Sequence, residues 1–203
     1  MKQVITSAVT PQKKIMGVNN RFGNPGLKKQ QGSTVEIYDM IQVTGTETQF
    51  EFFINSKTRQ FPFTNLVDGK LQPQESFALE RAYFFLAQLD DTGAWVEITP
   101  LNLISTAGIS MGELEFQIEN QRVLKPMPLR SFNPEFNTEA DNVSCTVFEF
   151  DTQIVIPPLL SFKATLKVPP QAFAGLVPPA PEELYIGLTF GGAGGIFAPK
   201  SNY

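Results

Sequence analysis

A chain of 203 residues with 42% hydrophobic content is long enough to bury one sizeable core and too apolar for global disorder. It has no histidine and one cysteine, which removes the commonest general base, the commonest zinc ligand, the Ser/His/Asp and Cys/His triads and any internal disulfide. The formal charge of −4 is unevenly laid out: Lys2, Lys13, Lys14, Arg21, Lys28 and Lys29 lie in the first 35 residues with no acid among them, while the remaining ten basic groups share the rest of the chain with all 20 acids.

Residues 1–33 read as an extended basic arm. Asn19-Asn20, Gly23-Asn24-Pro25-Gly26 and Gln30-Gln31-Gly32 are turn and loop formers. Such an arm is either a solvated tail or a segment that orders against a neighbouring subunit, a membrane surface or nucleic acid. Six charges spread this thinly are too few for strong binding by phosphate neutralisation alone. Residues 1–17 lack a continuous apolar core of signal-peptide length, and no run approaches the roughly 18 apolar residues of a membrane span. The expectation is a chain made and folded in a cytoplasm.

The body spans residues 34–190. Apolar residues alternate over 35–43, and Phe50, Phe52 and Ile54 alternate again before the turn at Asn55-Ser56. Phe61-Pro62-Phe63 reads as a short edge-like piece, because Pro62 has no donor for a ladder. Asp68-Gly69 marks a tight turn. Residues 76–89 are ambiguous. Ala78, Ala82, Phe85 and Leu89 share a face in a helix, whereas a strand places Phe77, Leu79, Tyr83, Phe85 and Leu89 on one face with Arg81 interrupting. Helix propensity favours the first reading and the all-β surroundings the second, which is the one adopted.

Asp90-Asp91-Thr92-Gly93 is a turn and lacks the further oxygen ligands of a calcium loop. Residues 95–99 form a strand that includes Trp95, the sole tryptophan. Residues 108–112 are loop. Leu114, Phe116 and Ile118 alternate with polar residues, so Glu113, Glu115 and Glu119 are expected on the solvated face of an edge strand, where their charge discourages aggregation. Asn120-Gln121 turns into a short strand, and Pro126, Pro128 and Pro134 make an irregular crossing. Residues 143–150 and 153–156 form a further strand, in which Cys145 is expected as a small buried hydrophobe.

The clearest element is 157–168. Leu160, Phe162, Ala164, Leu166 and Val168 point one way, and Ser161, Lys163, Thr165 and Lys167 the other. Pro157-Pro158 and Pro169-Pro170 delimit it. Residues 169–183, with Pro178, Pro179 and Pro181, read as a long exposed connection. Leu184, Ile186, Leu188 and Phe190 make the last strand. Gly191-Gly192-Ala193-Gly194-Gly195 lacks the lysine and helix of a phosphate loop, so 191–203 reads as a glycine-rich hinge and C-terminal tail. Eight to ten short strands separated by proline and glycine predict an antiparallel β-sandwich, with a jelly roll ahead of an immunoglobulin-like topology.

Three segments in this order, 63–77, 114–129 and 154–162, together with the last strand at 184–190, give the chain a resemblance to the jelly-roll capsid proteins of tailless icosahedral bacteriophages. The resemblance also favours a strand over 76–89. It implies a single or compact double roll, since the length does not hold two full ones. It further implies a structural virion protein without enzymatic activity or cofactor, whose partners are copies of itself (a trimer or pentamer within a shell) and other virion proteins. The basic arm would then face inward, toward an internal membrane or the packaged genome. The competing expectation is a β-sandwich binding module, a spike or carbohydrate-recognising domain. Trp95 lies inside a strand pattern, which counts against an exposed sugar-stacking ring.

Overall fold

The computed structural model describes residues 29–54, 60–66, 69–73, 75–98, 111–129, 147–173 and 175–198. Among these residues the fold is all-β, with nine strands: β1 (Lys29–Val43), β2 (Gln49–Phe52), β3 (Glu75–Leu89), β4 (Trp95–Ile98), β5 (Glu113–Ile118), β6 (Gln121–Pro128), β7 (Val147–Ile156), β8 (Phe162–Lys167) and β9 (Glu183–Ala198). They form two antiparallel sheets packed as a sandwich. The first runs β1-β9-β3-β4, with β7 also paired to β3; the second runs β2-β8-β5-β6. The pairs β1·β9, β2·β8, β3·β7 and β5·β6 are nested, first strand with last.

Phenylalanine fills the space between the sheets. Phe52 of the second sheet meets Phe84 of the first, with ring centroids 6.3 Å apart. Phe190 takes Phe53 at 5.0 Å and Phe116 at 5.2 Å, and Phe116 reaches Phe162 at 6.1 Å. Each fully buried ring contributes about 1.5–3 kcal/mol from apolar burial, and offset or edge-on ring pairs add to that. The alternation read in 157–168 holds here: Phe162, Ala164, Leu166 and Val168 are all in the core. Asp39, itself buried, accepts the amide of Phe53 at 2.6 Å and so ties β1 to the end of β2, where Phe53 turns with φ 62°.

Residues 76–89 are strand β3, and tertiary pairing overrides helix propensity there. β9 lines one edge of β3 and β7 and β4 line the other, so both ladders are filled. The single apolar face expected for this strand is corrected. The register shifts between Leu79 and Arg81, leaving Glu80 as the extra residue against β9. Phe77 and Leu79 precede the bulge and face the core, as do Ala82, Phe84 and Leu86 after it. Phe85 and Leu89 are thereby moved to the other side, where they pack with a separate cluster around Met40, Ala87 and Tyr185.

The glycine-rich hinge is also corrected. Gly191 to Gly195 continue β9 and pair with both β1 and β3. Glycine is required there for close approach. A Cβ on Gly192 would lie 2.0 Å from the Ala78 carbonyl oxygen and 3.0 Å from the Glu80 nitrogen, which are backbone atoms of the bulge. A Cβ on Gly187 would meet the Phe85 ring at 2.1 Å, and one on Gly191 would meet Arg81 Nε at 2.5 Å. The β3 side chains therefore lie across bare backbone on β9.

Four smaller expectations change. Phe61-Pro62 is a turn, and Phe63 with the two residues after it caps the free edge of β1: Met40 N donates to Phe63 O, Tyr38 N to Asn65 Oδ1, Asn65 Nδ2 to Glu36 O and Thr64 Oγ1 to Tyr38 O. Pro126 and Pro128 belong to edge strand β6, where Pro126 falls in a register shift that spares the ladder a missing donor. β5 is not an edge strand but sits between β8 and β6. The 169–183 connection is not wholly exposed, because Ala172 and Phe173 insert into the core and Phe173 meets Phe50 at 5.3 Å. Cys145, Asp68 and Pro134 lie outside the described residues.

Gly192→Ala is expected to lower the denaturant midpoint more than Gly187→Ala, since backbone cannot yield where a ring can rotate. Overpacking of this kind costs about 1–3 kcal/mol. In a Phe85→Ala background the cost of Gly187→Ala should fall, while that of Gly192→Ala stays; urea titrations of the parent, the three single variants and the two double variants measure both couplings.

Candidate functional site

The two outer faces of the sandwich differ in chemistry. On the second sheet the outward residues are polar and charged. Lys163 pairs with Glu51 at 3.3 Å, and Glu115 is held by Arg122 and by Lys167 at 3.8 Å. Glu115 is only 4% exposed, so it is a buried ionic anchor rather than a solvated edge charge. The Gln117 amide, which donates at 2.6 Å, and then Arg122 hold its carboxyl below the usual glutamate range. Glu113 remains exposed on this sheet. Glu119 sits in the β5–β6 turn with φ 51° and accepts the Ser161 amide at 2.6 Å. Glu115 and Glu119 are thus held in separate structural contacts.

The outer face of the first sheet carries aromatic rings and a cleft of about 470 Å³. β1 supplies Glu36, Tyr38 and Met40; β3 supplies Tyr83, Phe85 and Ala87; β4 supplies Trp95 and Val96; β9 supplies Thr189, and the turn before Phe63 supplies Pro62. Beyond Tyr185, β9 has Gly187 and Gly191 flanking Thr189, and Phe85 and Arg81 of β3 lie over those two glycines.

One wall is a propped aromatic platform. Trp95 packs against Tyr185 at 5.2 Å and Phe63 at 5.8 Å, and Phe63 meets Tyr185 at 5.4 Å. Trp95 stays 39% exposed, so the strand pattern around it does not bury it. Burial and then the Glu183 carboxylate, which accepts its hydrogen bond, push the pKa of the Tyr185 hydroxyl up to about 12, so it remains a donor at any ordinary pH.

The opposite end is polar. Arg81 Nη2 donates to Glu36 Oε1 at 2.8 Å, and the Tyr83 hydroxyl donates to Glu36 Oε2 at 3.3 Å. Burial raises the Tyr83 pKa, with the Thr189 hydroxyl bonded beside it working in the opposite direction. Burial likewise raises Tyr38. Thr189 is itself buried at the floor. The arrangement combines stacked apolar surface with a small set of fixed donors and acceptors, the usual composition of a small-ligand site.

The arm residues Lys2, Lys13, Lys14, Arg21 and Lys28 lie outside the described residues. Lys29 opens β1, its Cα paired with Ala198, so strand begins inside the expected arm of residues 1–33. Asp90 forms a closed turn, its Oδ1 taking Thr92 N, Thr92 Oγ1 and Ala94 N, and these bonds lower its pKa. Among the described residues no group of three or more His, Cys, Asp or Glu gathers as a metal site. Sequence reasoning missed the cleft. Its available signal was the uninterrupted apolar run 82–87, which indicates a strand covered on both faces.

Glu115→Gln should destabilise the fold at neutral pH, by an amount that disappears in acid. The folded-state pKa lies below the ordinary 4.5, so the ionised group stabilises the protein above that value. The stabilisation is lost as pH falls through the lower folded value. Thermal melts of both proteins from pH 7 to pH 2 should converge only at the acid end.

No family model matches the chain, and no curated protein matches it.

Proposed function

We propose that the sandwich is a jelly roll and that the chain is a structural subunit that assembles with copies of itself into an icosahedral virion shell. The observation that carries this reading is the nested pairing. With β4 set aside as an addition to the third strand, the pairs β1·β9, β2·β8, β3·β7 and β5·β6 are those of one long antiparallel hairpin wound around a barrel. That winding also accounts for the two sheet orders. It agrees with the resemblance to bacteriophage jelly-roll capsid proteins. Exposed apolar side chains at the loop ends, Phe61, Met111 and Leu159, are available for contacts between subunits, which in a shell add through many weak interfaces. In this reading the basic segment 1–28 meets neighbouring subunits, an anionic membrane leaflet or the packaged genome.

Jelly rolls serve in lectins as well as in shells, so fold alone does not separate the two. The second reading, a binding module, is favoured by the cleft and by the exposure of Trp95.

Light scattering over a range of protein and salt concentration tests the first reading. The full chain should form discrete trimers or pentamers or grow into closed particles. A variant lacking residues 1–28, which stops short of β1, should keep the same β-rich circular dichroism and fail to yield stable particles. A full chain that stays monomeric at high concentration overturns the assembly reading.

A further inference from the structure

We infer that the cleft on the outer face of the first sheet is a carbohydrate site that takes a neutral pyranose. This rests on the binding-module reading and adds to it a place and a ligand class. The cleft volume of about 470 Å³ suits a mono- or disaccharide. A pyranose has an apolar C–H face and an equatorial rim of hydroxyls. The Trp95 ring, fixed by Phe63 and Tyr185, offers the surface for the first. Glu36, Tyr83 and Thr189 at the other end, with Arg81 bonded to Glu36 beside them, offer the acceptors and donors for the second.

Charge decides among sugars. Glu36 and Arg81 form an ion pair at 2.8 Å, so the polar end carries no net charge. A carboxylated or phosphorylated sugar gains no counter-ion there and would compete with Glu36 for the guanidinium. A neutral sugar can bridge the pair through adjacent hydroxyls and leave it intact. A purely apolar occupant, by contrast, would strip water from the Glu36 carboxylate without replacing it.

Trp95 is the only tryptophan, so intrinsic tryptophan fluorescence reports from the cleft wall alone. The full chain is titrated with glucose, galactose, mannose and N-acetylglucosamine, with their short oligosaccharides, and with sialic acid. The expected result is a saturable change in Trp95 emission with at least one neutral glycan and none with sialic acid. Glu36→Gln should weaken that binding about tenfold at an unchanged melting temperature. Glu51→Gln, on the outer face of the other sheet, should leave it unaltered. Glycan binding, followed by calorimetry, that moves neither Trp95 emission nor the Glu36→Gln affinity would place the site elsewhere and overturn this assignment while leaving the binding-module reading intact. No glycan bound at all would overturn both. Emission that instead changes on dilution through the assembly transition would identify a second copy of the chain as the occupant and also overturn the assignment.

Discussion

The structure depends on one backbone event, the bulge at Glu80 seated against Gly192. β3 is long enough to serve both halves of the first sheet, and without a shift its alternation would send Phe77 and Leu79 to one face and Phe84 and Leu86 to the other. The extra residue resets the phase, so that all four reach the core. The bulge needs room that only a residue without a Cβ provides, because the Ala78 carbonyl oxygen occupies the position a Cβ would take. The same reset places Tyr83 and Phe85 on the outside, where they become the wall of the cleft.

Glycine acts here through space rather than through flexibility. β9 is the best-paired strand of the first sheet, flanked along most of its length by β1 and β3. Its glycines let Phe85 and Arg81 lie over it, and the Arg81 that crosses Gly191 is the one that reaches Glu36. The bulge, the bare strand and the polar end of the cleft are therefore one connected arrangement. Replacing a glycine would disturb the site as well as the sheet.

The two outer faces differ in chemistry. Glu51, Glu115, Lys163, Lys167 and Arg122 make the outer face of the second sheet charged, with the buried Glu115 held by two cations. The first sheet places Trp95, Tyr38 and Phe85 outward and covers only part of them, with the 60–66 segment bonded along the edge of β1. An apolar outer face on one sheet and a charged one on the other give the molecule a polarity suited either to a ligand or to a neighbouring copy.

The amino-acid order by itself determined the all-β class, the alternating strand over 157–168 with its proline boundaries, the turn at Asp90 and most strand positions. Those features are local: side chains alternate with a fixed period of two, and proline and glycine act on their own backbone. It left the 76–89 segment balanced between helix and strand, read the 191–195 glycines as a hinge, placed Glu115 on an edge and took Trp95 as enclosed. Only the tertiary structure decided these. Whether a strand is central, where a bulge resets its phase and which ring lies over which glycine depend on partners more than a hundred residues away, as with Phe85 and Gly187. Nothing in the local pattern encodes that pairing.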